Sequence, residues 1–188
     1  MPVVELHLIR GYSDDARQRI CQSLTDAIRM VVPAPVDAVT VMIHEVDDAG
    51  YMRGRTARKP APALPDAAGV VTDYLAAMEA RDLDRARAFL DEAFVMQFPG
   101  TAPMRTLEEL VAWSRPRYAF VRKSFDGIDQ AKGEGDLTVV FCRGTLSGEW
   151  HDGSASEGIR FVDRFELRDG KIVRQDVWND LAEEMSGS

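Results

Sequence analysis

Three observations in the 188-residue sequence predict an α+β protein of two units. Residues 1–59 read as strand, helix, strand. Pro60-Ala61-Pro62-Ala63-Leu64-Pro65 follows, a stiff, extended stretch that suits a connection between separately folded parts. Beyond it, helical patterns come first and strand patterns afterwards, the order of an α+β domain with an antiparallel sheet. The predicted boundaries are 1–59, 60–66 and 67–188. Charge shifts at the same place: residues 1–65 hold 8 basic and 8 acidic side chains, so the whole net charge of −8 lies in the remainder.

From Pro2 to Ile9, Val4, Leu6 and Leu8 alternate with Val3, Glu5, His7 and Ile9, the two-residue period of a strand with one buried face. Gly11 ends it. Ser13 stands where a helix cap belongs, with Asp14 and Asp15 in the first turn, where the positive end of the helix dipole favours anions. Ile20, Leu24, Ala27, Ile28 and Val31 recur at helical spacing, which lays one stripe of the helix on a sheet. Pro33 and Pro35 stop it. Val39, Val41 and Ile43 then alternate through Glu45 as a second strand, and a right-handed crossover sets the two strands parallel. So small a unit leaves a sheet edge and one face open, which predicts self-association.

Pro2, His7-Leu8-Ile9-Arg10-Gly11, Ser13-Asp14, Ala34-Pro35, the strand Val39 to Ile43 with Glu45, and Tyr51-Met52-Arg53-Gly54 together resemble the 4-oxalocrotonate tautomerases over residues 2–57. The resemblance implies an amino-terminal proline acting as general base in keto–enol tautomerisation, no cofactor, and oligomers built from small βαβ units. An α-amino group titrates near about 7.7–8.0, and a prolyl amine higher. Burial beside Val4, Leu8 and Met42, with an arginine nearby, is expected to favour the neutral amine. That amine takes a proton from carbon next to a carbonyl and returns it elsewhere. An arginine grips the substrate carboxylate and steadies the enolate. Two arginines of well-known tautomerases fall at Tyr12 and Thr40, which are uncharged here. Arg53 matches an alternative arginine, with Arg10 and Arg55 nearby and Tyr51 as a candidate pocket wall. His7 and His44 lack ligand spacing, so no metal is expected.

In the second unit, Val70, Val71, Tyr74, Leu75 and Met78 mark a helix ending near Arg81. Asp82-Leu83-Asp84 starts another, with Ala86, Phe89 and Leu90 on its buried side. Phe94 to Phe98 reads as a strand closed by Pro99-Gly100. Thr106 and Glu109 have capping-box spacing before a third helix carrying Leu110 and Trp113. Strands are expected at about 137–146, 159–167 and 171–178. Arg168-Asp169-Gly170-Lys171 joins the last two as a hairpin. The expected result is a cone in which a curved antiparallel sheet wraps around a helix.

The helix Val70 to Ala80 with Arg81-Asp82-Leu83-Asp84, Phe89-Leu90, Phe94 to Gly100, Phe161-Val162-Asp163-Arg164-Phe165 and Asp169-Gly170-Lys171-Ile172-Val173 resemble the SnoaL-like, or nuclear-transport-factor-2-like, superfamily. Its members include ketosteroid isomerases, polyketide cyclases and hydratases. The resemblance puts Tyr74 at the isomerases' oxyanion-binding tyrosine and Asp163 at the protonated acid beside it, a pair that donates hydrogen bonds to an enolate. Strand alternation sets Asp163 among Phe161, Phe165 and Leu167, where burial raises a carboxylic pKa; the other reading pairs it with Arg164 or another arginine. The isomerases' base falls at Gln97 or Phe98, neither of which accepts a proton. Asp176 is the candidate replacement, and Trp150-His151 and Trp178 are candidate cavity walls.

Composition is that of an ordinary globule, 45% hydrophobic and 29% charged. No apolar run reaches the roughly 20 residues of a membrane helix and no leader pattern is present, so a cytoplasmic protein without membrane contact is expected. The acidic second part argues against nucleic acid. Cys21 and Cys142 read as free, buried thiols. The leading expectation is a cofactor-independent tautomerase or isomerase acting on a small molecule as a homo-oligomer. Pro2, Arg53, Tyr74 and Asp163 are its catalytic candidates; Tyr51, Tyr12, Thr40, Phe98, Trp150, Asp176 and Trp178 are its substrate-binding candidates. An alternative makes the second unit a non-catalytic binding protein and the first an oligomerisation module. A third makes the second unit the sole enzyme, with Tyr74, Asp163 and Asp176 acting on a polycyclic or lactone substrate.

Overall fold

Ser13 caps the first helix through its side-chain oxygen, which accepts from Ala16 N at 3.2 Å. This local bond satisfies one of the donors a helix start leaves unpaired. The structure, a computed structural model, describes residues 1–181, so the last seven residues of the second predicted domain lie outside the described residues. The chain divides into two compact units, Met1–Ala63 and Leu64–Ser188.

In the first unit, β1 (Val3–Ile9) and β2 (Thr40–Val46) pair in parallel across α1 (Asp14–Arg29), from Val3 opposite Thr40 to Ile9 opposite Val46. Val31 lies past the helix end and is exposed. Arg17 ties helix to sheet: its guanidinium donates to Glu45 Oε1 at 2.8 Å, to the Tyr12 carbonyl at 3.1 Å and to Asp14. A small hairpin, β3 (Met52–Arg53) with β4 (Thr56–Ala57), follows. Among the described residues of this unit only Ala16 is fully buried. Val3, Glu5, His7, Met42 and His44 share the exposed face of the sheet, where His7 and His44 stack at 5.1 Å. The strand that Pro2 heads is therefore half-covered, and Met42 lies on the face opposite Val4 and Leu8 rather than beside them.

The second unit begins with α2 (Ala67–Glu79), capped by Asp66, and α3 (Leu83–Arg87), capped by Asp82. Helix α3 is shorter than expected, because Leu90 already opens β5 (Leu90–Gln97). Helix α4 (Leu107–Ser114) starts at a complete capping box of Thr106 and Glu109. Four long strands complete the unit: β6 (Phe120–Lys132), β7 (Thr138–Glu149), β8 (Ala155–Arg168) and β9 (Lys171–Asn179). Their order is β5-β9-β8-β7-β6, antiparallel except where β5 runs parallel to β9. Strand β6 has no counterpart in the sequence reading.

Asp169 and Gly170 turn the β8–β9 hairpin with φ of 50° and 79°, the left-handed pair a tight two-residue turn requires. Register shifts between Phe125 and Gly127, Leu146 and Gly148, and Glu166 and Leu167 bend the sheet. Its concave side meets α2 and α4 in a core that includes Val71, Tyr74, Met96, Val140, Phe165 and Ile172.

Candidate functional site

A cleft of about 470 Å³ opens within the second unit. Helix α2 supplies Tyr74, Leu75 and Met78, with Arg81 just beyond its end; Phe98 follows β5, Leu110 and Ser114 come from α4, and Tyr118 precedes β6. Strand β6 contributes Phe120, Val121, Lys123 and Phe125, and β9 contributes Gln175. Most of this lining is apolar. Its charged side chains are Glu79, Arg81 and Lys123, and its other polar groups include Tyr74, Tyr118 and Gln175.

Tyr74 is 1% exposed and donates from its hydroxyl to Gln175 Oε1 at 3.2 Å. Burial, and secondarily the charge of Asp163, push its ionisation far above the ordinary phenol range, so Tyr74 acts as a donor. Lys123 donates to Asp163 Oδ2, with its nitrogen 4.5 Å from the centre of the Phe161 ring. Asp163 is fully buried, and its other oxygen, Oδ1, has no hydrogen-bond partner among the described residues. Cys142, beside Asp163 in the β7–β8 register, has its thiol pushed up to about 12, by burial first and by Asp163 second, while Lys123 partly offsets this. It is an inert thiol. Tyr118 is also raised, chiefly by burial, against the opposing effects of the Ser114 hydrogen bond and of Arg81 and Arg117.

In the first unit, Pro2 is half-buried, and its carbonyl accepts from Thr40 N at 3.0 Å. Tyr12 is half-buried ahead of α1. Tyr51 is exposed, as is Arg53 on β3, and Arg53 pairs with no carboxylate among the described residues. Arg10 pairs with Asp47 at 2.7 Å.

Residues 71–175, more than half of the chain, match the family model described as SnoaL-like domain. The chain belongs to the SnoaL-like family. Residues 2–57 match the model described as Tautomerase enzyme. No curated protein matches the chain. Solved structures similar to the SnoaL-like unit include an NTF2-like protein of unknown function from Burkholderia pseudomallei, 20% identical with a TM-score of 0.53, the match covering 65% of this chain and 97% of that one. TerC co-crystallised with polyporic acid is 17% identical with a TM-score of 0.53 over 64% of this chain and 95% of that one. A putative polyketide cyclase from Xanthomonas campestris is 19% identical with a TM-score of 0.50 over 64% and 94%. At these identities the likeness is one of fold.

Within the SnoaL-like unit, Tyr74 and Phe98 line the cleft, whereas Asp163 lies behind Lys123. Its partner is that lysine and not an arginine, because Arg164 is taken by Glu166 at 2.6 Å and Asp176 at 3.4 Å. Three expectations are corrected. Asp176 sits on the opposite face of β9 from Gln175 and is held by Arg174 Nε at 2.8 Å, so it is no free base in the cleft. Trp178 shares that outer face and is 54% exposed. Trp150 packs half-buried against the core without lining the cleft.

The residues missed were Lys123, Gln175, Tyr118 and Arg81. For Gln175 a signal existed: alternation along β9 puts it with Val177 and sets Asp176 apart.

Arg81 follows α2 with φ of 59°, a left-handed conformation that costs a side-chain-bearing residue about 1 kcal/mol or more. Glycine is the usual occupant after a helix end. Arg81→Gly is therefore expected to stabilise the SnoaL-like unit by about 0.5–1 kcal/mol, read as a higher midpoint in thermal unfolding. An unchanged or lower midpoint would show that the arginine side chain makes up the difference.

Proposed function

We propose that the first unit is a cofactor-independent tautomerase in which Pro2, freed by removal of Met1, is the general base on a small enolisable carbonyl compound. The SnoaL-like unit binds or further converts a related small molecule. The observation that carries the reading is the tautomerase match over residues 2–57, with Pro2 at the head of β1. The bond from Thr40 N to the Pro2 carbonyl supports it by holding the residue that bears the nitrogen against the neighbouring strand. With Tyr12 and Thr40 uncharged, Arg53 is the cation for the substrate carboxylate and Tyr51 the ring beside it. The two matched families together fit isomerase-type chemistry on a small molecule. The reading places the protein in the cytoplasm as a homo-oligomer in which a second copy covers Val3, Met42 and the stacked histidines. No helix is long and apolar enough to cross a membrane among the described residues.

Intact mass and enol-pyruvate ketonisation test the proposal. Loss of Met1 with measurable ketonisation is expected. Pro2→Ala should lower kcat/KM by about a hundredfold, the lower end of what a positioned base contributes, because alanine keeps an α-amine at the same place. Arg53→Ala should mainly raise KM. A processed chain that does not ketonise, or an unaffected Pro2→Ala variant, rejects the proline mechanism. A second reading, ligand binding in the SnoaL-like unit with the first unit as an assembly module, is favoured by the exposure of Arg53 and gains from the same negative result.

A further inference from the structure

We infer that the cleft of the SnoaL-like unit takes a planar, conjugated organic anion, a carboxylate or enolate, with its negative oxygen at Lys123 Nζ. The inference rests on the proposal that this unit holds a small molecule and adds the chemical class. An ammonium has three hydrogens to donate. Asp163 Oδ2 takes one, and Lys123 borders the cleft, where the others have room for an acceptor. Gln175 commits its carbonyl to Tyr74, so the donor left to it is its amide nitrogen, again at the cleft.

Charge points the same way. The Lys123–Asp163 pair is neutral as a unit. Glu79 is the acidic side chain among those lining the cleft, and its carboxylate lies 3.9 Å from Arg122. That leaves Arg81, which lines the cleft without a carboxylate partner among the described residues, as an uncompensated positive charge. A cationic ligand would be opposed by Arg81, and a neutral one would leave the lysine donors without an anionic acceptor in a largely apolar site. The aromatic walls, Phe98, Tyr118 and Phe125, select a flat hydrophobic body over a strongly hydrated one such as a phosphate. Arg81 also keeps a left-handed backbone that glycine would hold without strain. Retained strain of this kind is expected where a side chain has a task.

The test is calorimetric titration of the full chain with naphthoate and with naphthamide, which share a shape and differ in charge. Naphthoate is expected to bind about tenfold tighter or more, the value of a hydrogen bond to a charged group. The preference should vanish in Lys123→Met combined with Asp163→Asn, which leaves no buried charge alone and so keeps the fold. It should shrink in Arg81→Gly. It should persist in Arg53→Ala, which separates this site from the first unit. Equal affinity for both probes, a preference surviving the double variant, or a preference lost in Arg53→Ala overturns the inference while leaving a binding cleft. Binding of neither probe overturns it together with the small-molecule reading of this unit.

Discussion

Lys123→Met alone is expected to destabilise the SnoaL-like unit by about 3 kcal/mol, because it strands the fully buried Asp163 carboxylate without its partner. This is the lower end for breaking a buried pair, since the Lys123 side chain is 22% exposed and the vacated space opens to cleft water. Adding Asp163→Asn should recover most of the loss, because the remaining polar group is then uncharged. Urea unfolding of the single and double variants measures both steps. A single variant as stable as the wild type would mean that Asp163 draws little from the lysine.

Gly144→Ala is expected to cost about 3 kcal/mol or more, and to loosen the cleft as well as the sheet. A Cβ at Gly144 would lie 1.9 Å from the Ser124 carbonyl oxygen and 3.1 Å from Asp126 N. Both are backbone atoms of β6, so no side chain can swing away. The clash falls beside the register shift between Phe125 and Gly127, where β6 turns Lys123 and Phe125 toward the cleft. Unfolding midpoint and naphthoate affinity should therefore fall together. A variant that loses neither would mean that β6 shifts outward freely.

Signals that depend on near neighbours were legible in the sequence. The Ser13 cap, the Thr106–Glu109 capping box and the Asp169-Gly170 turn each rest on residues two to four positions apart. Strand periodicity also sufficed for Asp163, which lies buried with Phe161, Phe165 and Leu167 as their alternation requires. The same periodicity sets Asp176 and Trp178 on the outer face. Strand β6 was illegible because Arg122, Lys123, Ser124, Asp126, Asp129 and Gln130 leave almost no apolar alternation. Losing the strand also lost Lys123, on which the chemistry of the cleft depends. The surroundings of Pro2 are a matter of packing across the chain, which nothing in Tyr51-Met52-Arg53-Gly54 encodes locally.

The polar make-up of β6 has another effect, since this strand ends the sheet order and carries backbone donors and acceptors that no further strand pairs among the described residues. A border of this kind invites stacking against other chains and, through that, fibre growth. Its charged residues, Arg122, Lys123, Asp126, Asp129 and Lys132, make such annealing unfavourable, so the composition that hides the strand from pattern reading also guards the molecule against aggregation.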